Sequence, residues 1–442
     1  MRNPKPLLSL LIASTIAAAT AAQSVAVKPV PRPPAPTPGA PTDASAAPDG
    51  YAPTPQWLGQ TRAPYPATKV AYEVATLAEG LQGAFSFAFL PNGSMIAAER
   101  AGRLRVLDAN IKPGGKAGVI IGNVVGLSPP LEGLPANLFA RGGQGLFEVR
   151  PDRAFAQNRT LYLTYTVLPD GVDPATVSGA GVLVVASARL SDDQTRIDNL
   201  RVLLNAEGTN GRVIQAPDGT LLVTSTVPSG LNLSAMDWKQ PQAFDSNMGK
   251  VLRINADGSI PKDNPFVGRA GAHPEIYALG FRDSQGLAIN PKTGVLWTSE
   301  HGPRGGDEIN AVHKGKNYGF PLIGYGRDYS GKPINNDRTA QEGLEQPVYF
   351  WTPDIAPAGI AFYTGKLFPA WQGDLFVASL VGKSLVHLVL NGERVVAEER
   401  LLTELNARIR GVVDGPDGAL YVLTDGAAGK ILRLTPKKQG DR

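Results

Sequence analysis

From about residue 85 onward, apolar residues come in short runs rich in β-branched and aromatic types, separated by Gly, Pro, Asn and Asp. Six stretches carry the pattern: residues 87–108, 159–167, 215–224, 286–299, 373–390 and 412–434. Within them Asn92-Gly93, Asp218-Gly219 and Asp417-Gly418 stand between apolar runs. Both residues of such a pair can take positive φ and close a tight hairpin. No segment shows a capped helical period. About six hairpin units over roughly 370 residues give some 60 residues per unit, longer than common propeller repeats and with room for inserted loops. An all-β chain of this length must hide its sheet edges, and radial repetition of blades does so. The expected fold is therefore an all-β six-bladed propeller with four-stranded antiparallel blades. A pair of β-sandwiches fits less well, because similar Pro-Asn-Gly and Pro-Asp-Gly hairpins recur along the whole chain.

The N-terminal region has a different pattern. Residues 1–22 combine Arg2 and Lys5, an apolar run from Leu7 to Ala18, and the small-residue site Ala19-Thr20-Ala21. That is the form of a secretory signal peptide, and its apolar run is shorter than the ~20 residues needed to span a bilayer. A periplasmic or secreted location is expected. Residues 23–66 are dense in Pro, with Ala and Thr, and read as an extended tether. Residues 67–436 remain for one propeller domain.

Composition narrows the chemistry. The chain has 442 residues, 43 Lys+Arg against 39 Asp+Glu, four His and no Cys. The net charge of +4 falls by two if the signal leaves, and Lys and Arg form no run, which argues against nucleic-acid binding. Without cysteine there is no disulfide, thiol nucleophile or Cys-zinc site, and four scattered histidines leave little room for a multi-His metal site. No transmembrane segment is expected after signal removal. A Gly-x-Ser-x-Gly elbow is absent, Gly382-Lys383-Ser384 lacks the upstream glycine of a phosphate loop, and Asn255-Ala256-Asp257-Gly258 lacks the later Glu of a calcium loop. The densest chemistry lies in residues 275–331, where Arg282, Asp283, Arg304, Asp307, Glu308 and Asp328 stand among glycines and aromatics in loops. Loops at one end of a propeller converge on its channel.

This stretch resembles the soluble pyrroloquinoline-quinone (PQQ) dependent glucose/sorbosone and aldose sugar dehydrogenases. The likeness runs through residues 249–266 (GKVLRINADGSIPKDNPF), 280–286 (GFRDSQG), 300–310 (EHGPRGGDEIN), 317–321 (NYGFP), 346–359 (QPVYFWTPDIAPAG) and 408–417 (RIRGVVDGPD). It covers about residues 81–434. The family's fold is a six-bladed propeller, in agreement with the hairpin count. The resemblance implies PQQ and Ca²⁺ as cofactors, an aldose sugar as substrate and an external electron acceptor as partner. It implies cofactor contacts from Arg282, Asp283, Gln285, Arg408, Arg410, Tyr349 and Trp351. Gly302 and Pro303 match carbonyls that hold an active-site calcium, and Glu308, Tyr318 (through its carbonyl) and Asp328 match a second calcium site.

The chain also departs from the family. Gly208 stands where the family has its catalytic histidine, in the block Gly208-Thr209-Asn210-Gly211-Arg212. Asp283 replaces an asparagine, Gly411 an aspartate, and Gln144 is displaced by one position. The loop 226–245 lacks the family's Gly-Asp pair. Glu207, beside Gly208, is the candidate replacement base, and Asp307 a second acidic candidate. His301, in the calcium loop, is common in the aldose branch and is not taken as the lost base. Three functions follow: a periplasmic PQQ- and calcium-dependent dehydrogenase that oxidises aldoses at C1 to the lactone; a non-catalytic propeller that binds a sugar, quinone or wall component; and, more weakly, a lactonase-type hydrolase with a channel calcium.

Overall fold

The computed structural model describes residues 50–107, 130–168, 171–173, 181–227 and 239–437. The signal segment, most of the tether and most of the loop 226–245 lie outside these residues. After the strand β1 (Tyr72–Leu81), the chain builds six antiparallel sheets in sequence. The first holds β2 (Ala84–Phe89), β3 (Met95–Glu99) and β4 (Arg103–Leu107). The second holds β5 (Leu146–Pro151), β6 (Thr160–Val167), β7 (Val182–Leu190) and β8 (Ile197–Ala206). The third holds β9 (Val213–Gln215), β10 (Leu221–Ser225), β11 (Lys250–Ile254) and β12 (Ile276–Leu279). The fourth holds β13 (Ser284–Ile289), β14 (Leu296–Glu300), β15 (Asp307–Val312) and β16 (Tyr349–Trp351). The fifth holds β17 (Pro357–Phe362), β18 (Leu375–Ser379), β19 (Ser384–Asn391) and β20 (Arg394–Leu401). The sixth holds β21 (Ile409–Asp414), β22 (Leu420–Thr424) and β23 (Gly429–Pro436), and takes β1 as its fourth strand. The fold is the expected six-bladed propeller. Five blades have four strands, and the first shows three among the described residues.

The core is distributed. One hydrophobic cluster fills each of the six interfaces between adjacent blades, because each sheet is apolar on both faces and must bury both. The first strands of the blades line the channel and contact one another around the ring. Their approach is close enough to require glycine. A β-carbon at Gly286 would lie 2.3 Å from the Ala358 carbonyl oxygen, and one at Gly359 would lie 3.1 Å from the Gly411 Cα.

Two expectations are corrected here. In the Asn-Gly and Asp-Gly turns only the glycine has positive φ (Gly93 +90°, Gly219 +86°, Gly418 +82°). The preceding Asn92, Asp218 and Asp417 each accept a hydrogen bond from the backbone N–H two residues on. The side chain thus caps the turn, and its own backbone stays out of the left-handed region. The tether, placed at residues 23–66, ends earlier. Gln60 and Ala63 are fully buried. The Gln60 carbonyl accepts the N–H of Phe350 in β16, and the Pro64 carbonyl accepts that of Glu398 in β20. These are the outer strands of blades four and five, whose unpaired N–H groups need acceptors; a proline carbonyl serves although proline has no N–H of its own.

Candidate functional site

The inner strands all start at one end of the ring, and in five of the six the register slips there. The slips fall between Ala84 and Ser86, Leu146 and Glu148, Ser284 and Gly286, Pro357 and Ile360, and Ile409 and Gly411. A bulge leaves its extra residue unpaired and re-aims the side chain. The extra residues include Phe85, Phe147, Gln285 and Arg410, and Arg212 stands at the matching point before β9. Gln285, Arg410 and Arg212 stand at this end of the channel, the mouth, while Phe85 and Phe147 turn into the core between blades two and three.

Arg212 ties this mouth together. Its Nε donates to the Gln285 carbonyl at 2.7 Å, and its Nη1 to the Phe85 carbonyl at 3.3 Å and to Glu148 Oε2 at 3.0 Å. Blades one to four are joined through one guanidinium. Arg410 shares Asp425 with Arg408, at 3.3 and 3.0 Å. Arg408 is half exposed, whereas Arg410 is buried. Burial draws the Arg410 guanidinium down to about 10 against the pull of Asp425, and Arg100 and Arg212 add to the effect.

Arg282 stands at the same end but does not join this cluster. Its Nη1 donates to the carbonyls of His301 (2.9 Å) and Gly302 (3.0 Å), and its backbone N–H to Glu300 Oε2 (2.7 Å). It clamps the loop after β14. Asp283 is buried, accepts from Gln285 Nε2 at 2.6 Å and lies 3.5 Å from His301 Nδ1. Burial works to raise its carboxyl, but His301, Arg282 and Gln285 outweigh that and hold it below the usual carboxylate range. His301 Nε2 is buried and has no partner among the described residues.

The same loop borders a pocket lined by Arg282, Glu300, His301, Gly302, Glu308 and Tyr318, with Pro303 also in its wall. Glu300 and Glu308 are cross-strand partners, both buried. Burial pushes both carboxyls up; Arg282 opposes this at Glu300, and Glu300 adds to it at Glu308. Asn310 donates to each, at 2.8 and 3.3 Å, and its own Oδ1 has no partner among the described residues. This oxygen-rich set suits a hard divalent cation. The Gly302 carbonyl fits one poorly, because it already accepts from a guanidinium that would repel the ion. Asp328 is not in the pocket wall; it caps its own turn through the N–H of Ser330 at 2.8 Å. Among the described residues no three His, Asp or Glu side chains stand close enough to hold a metal alone.

Four of the sequence assignments do not stand in the mouth. Tyr349 and Trp351 lie in β16, the outer strand of blade four, with their OH and Nε1 on Glu398 at 2.6 and 3.3 Å. They pack blade four against blade five and cannot reach a cofactor at the channel. Asp307 is buried, and its oxygens accept three backbone N–H groups, from Gly302, Ile355 and Ala356; it anchors loops and has no lone pair turned to a substrate. Glu207 is exposed, and its carboxylate accepts from Ser246 Oγ and the Asn247 N–H, which turns it toward the segment after the undescribed loop. No vacancy exists at Gly208: Ser225 Oγ occupies the space and donates to the Glu207 carbonyl. Arg212, Arg100 and Phe85 were missed. Arg212 closes the block that begins at Gly208, but nothing in a linear pattern marks the bulge that aims Phe85.

Residues 81–433 match the glucose/sorbosone dehydrogenase family profile. The aldose sugar dehydrogenase YliI of Escherichia coli is 37% identical over 373 residues, covering 84% of this chain and 95% of that protein. The quinoprotein glucose dehydrogenase B of Acinetobacter calcoaceticus is 32% identical over 238 residues, 42% of this chain and 49% of that one. The apo crystal structure of the soluble E. coli aldose sugar dehydrogenase superposes with a TM-score of 0.73 at 36% identity, covering 83% of this chain and all of that one.

Proposed function

The chain belongs to the glucose/sorbosone dehydrogenase family, and on that footing we propose that it oxidises aldose sugars at C1 to the lactone, with PQQ as cofactor and an external electron acceptor. The observation that carries this reading is the mouth itself. Buried arginines stand at this end of the channel, with Arg212 Nη2 and Arg410 Nε unpaired among the described residues, in a chain with a quinoprotein among its relatives. PQQ is a flat tricarboxylate, and guanidinium forks stay charged and bind carboxylates through paired hydrogen bonds. Arg408 and Arg410 would hold it, with Gln285 beside them. When bound, it supplies the acceptor for the hydride leaving C1. Calcium at the Glu300–Glu308 pair would neutralise two buried carboxylates and stiffen the adjoining loop.

The chain's own residues do the rest. Arg282 and Asp307 hold the 301–306 loop from opposite sides. Asp283 orients the His301 ring through Nδ1 and leaves Nε2 free. The signal-like N-terminus supports export to the periplasm or beyond. A non-catalytic binding propeller is the second reading, favoured by the glycine at 208. The test is reconstitution: purified protein with PQQ and Ca²⁺ should reduce a dye when aldoses are added. Bound quinone without dye reduction would favour the binding propeller.

A further inference from the structure

Lys250, the first residue of β11, is fully buried, and no other lysine among the described residues is. It pairs with Ser225 of β10 on one side and Leu279 of β12 on the other. Its Nζ donates to the carbonyls of Gln240 and Met248, each at 2.7 Å. Burial draws the amine down to about 7, against the opposing pull of Glu207 and Asp245. Protonated or neutral, the amine keeps at least two N–H groups, one for each carbonyl, so both bonds hold on either side of neutral pH. A methionine would fill much the same space without a buried charge, but it would leave both carbonyls without a donor.

Each of these carbonyls stands next to a residue that grips the segment before Arg282. The Pro241 carbonyl accepts the Gly280 N–H at 3.0 Å, and the Gly249 carbonyl accepts the Phe281 N–H at 3.1 Å. The approach is tight: a β-carbon at Gly249 would lie 2.3 Å from the Phe281 carbonyl oxygen. Gln242, in the same 3-10 turn as Gln240, donates to the Phe320 carbonyl at 2.8 Å and accepts from Asn317 Nδ2 at 2.7 Å. One amine therefore fastens both ends of residues 240–249. Those residues in turn fix the backbone at 280–281 and the wall of the pocket beside Glu308. We infer that Lys250 is a positioning residue: it sets where Arg282 and Asp283 stand, and through them the loop after β14 that carries His301. For the effect on sugar oxidation the inference rests on the dehydrogenase reading; for the placement of Arg282 it does not.

Lys250→Met removes the donors and keeps the volume; Lys250→Gln, which keeps an uncharged donor, serves if the first does not fold. Hydrogen–deuterium exchange is followed peptide by peptide in the ligand-free variant and the unaltered protein. Then kcat and KM for an aldose are measured after both are loaded with PQQ and Ca²⁺. Exchange should rise roughly 10-fold or more across residues 240–249 and 280–283 and stay unchanged in blades five and six. The kcat should fall roughly 10- to 100-fold with KM changed far less, because a shift in orienting groups spoils alignment more than sugar binding. Exchange that is faster in every blade, or unchanged at 280–283, overturns the inference and leaves the dehydrogenase reading untouched. Faster local exchange with kcat unaltered also overturns it, since Lys250 would then hold a turn without setting the site. If local exchange rises but the unaltered protein oxidises no aldose, the dehydrogenase reading falls and the placement of Arg282 by Lys250 stands.

Discussion

Gly208 holds φ at +127°, and a β-carbon there would lie 2.3 Å from Ser225 Oγ and 3.0 Å from the Thr226 carbonyl oxygen. Restoring the family's histidine therefore meets both backbone strain and a filled space. Gly208→His should lower stability by about 1–3 kcal/mol and leave aldose turnover no higher, measured by thermal melting and dye reduction side by side. A rise in turnover would show that the loop opens and that Glu207 and Ser225 release each other. At this scale the sequence was a partial guide. Arg410 and Gln285 were legible because they sit in blocks shared with a known family and fall on bulges at the mouth. Tyr349 and Trp351 were misassigned because adjacent aromatics in a family block look alike whether they line a site or a core. Only the position of β16, at the outer edge of its blade, separates the two cases.

Blade five carries an ionic group that the proposed chemistry does not use. His387 in β19 is buried and bonded on both sides, Nδ1 to Glu399 of β20 and Nε2 to Asp374 before β18, each at 2.8 Å. It stacks on Phe376 of β18, with ring centroids 4.7 Å apart. Tyr65, from the N-terminal strap, also bonds Glu399, and its hydroxyl is pushed up to about 12 by burial and by that carboxylate. Burial works to lower the His387 pKa, but the two carboxylates win and hold it above 6.5. With the folded value above the unfolded one, the stabilisation is complete below about pH 6.5 and is lost as pH rises through the folded value. The melting temperature of the unaltered protein, relative to His387→Gln, should therefore fall as pH goes from 6 to 9. Removing the imidazolium from between two buried carboxylates should cost about 3–5 kcal/mol at pH 6. A gap between the two proteins that does not narrow with pH would refute the ionic account. Elements were more legible than sites: alternation and turn residues mark strands wherever they are, whereas a bulge is a one-residue slip that no periodicity reveals. The buried triad was equally hidden, since Asp374, His387 and Glu399 are scattered in sequence and meet only through strand pairing.

The ring closes by joining β1 to β23, from Tyr72↔Pro436 to Leu81↔Gly429, so the two ends of the domain are held in one sheet. Residues 56–64 then cover the edges of blades four and five, which composition alone assigned to a tether because proline-rich sequence cannot build a core. It can still lend carbonyls to one. Residues 72–436 thus form a frame of six glued blades around a channel, and the central proposal is that the mouth of this channel seats a quinone that takes hydride from a sugar. Anaerobic mixing tests it most directly. Protein loaded with PQQ and Ca²⁺ is mixed with excess aldose, without any dye, and the spectrum of the bound quinone is followed. The account predicts reduction of the bound quinone within the first turnover. A bound quinone whose spectrum no aldose alters would contradict it.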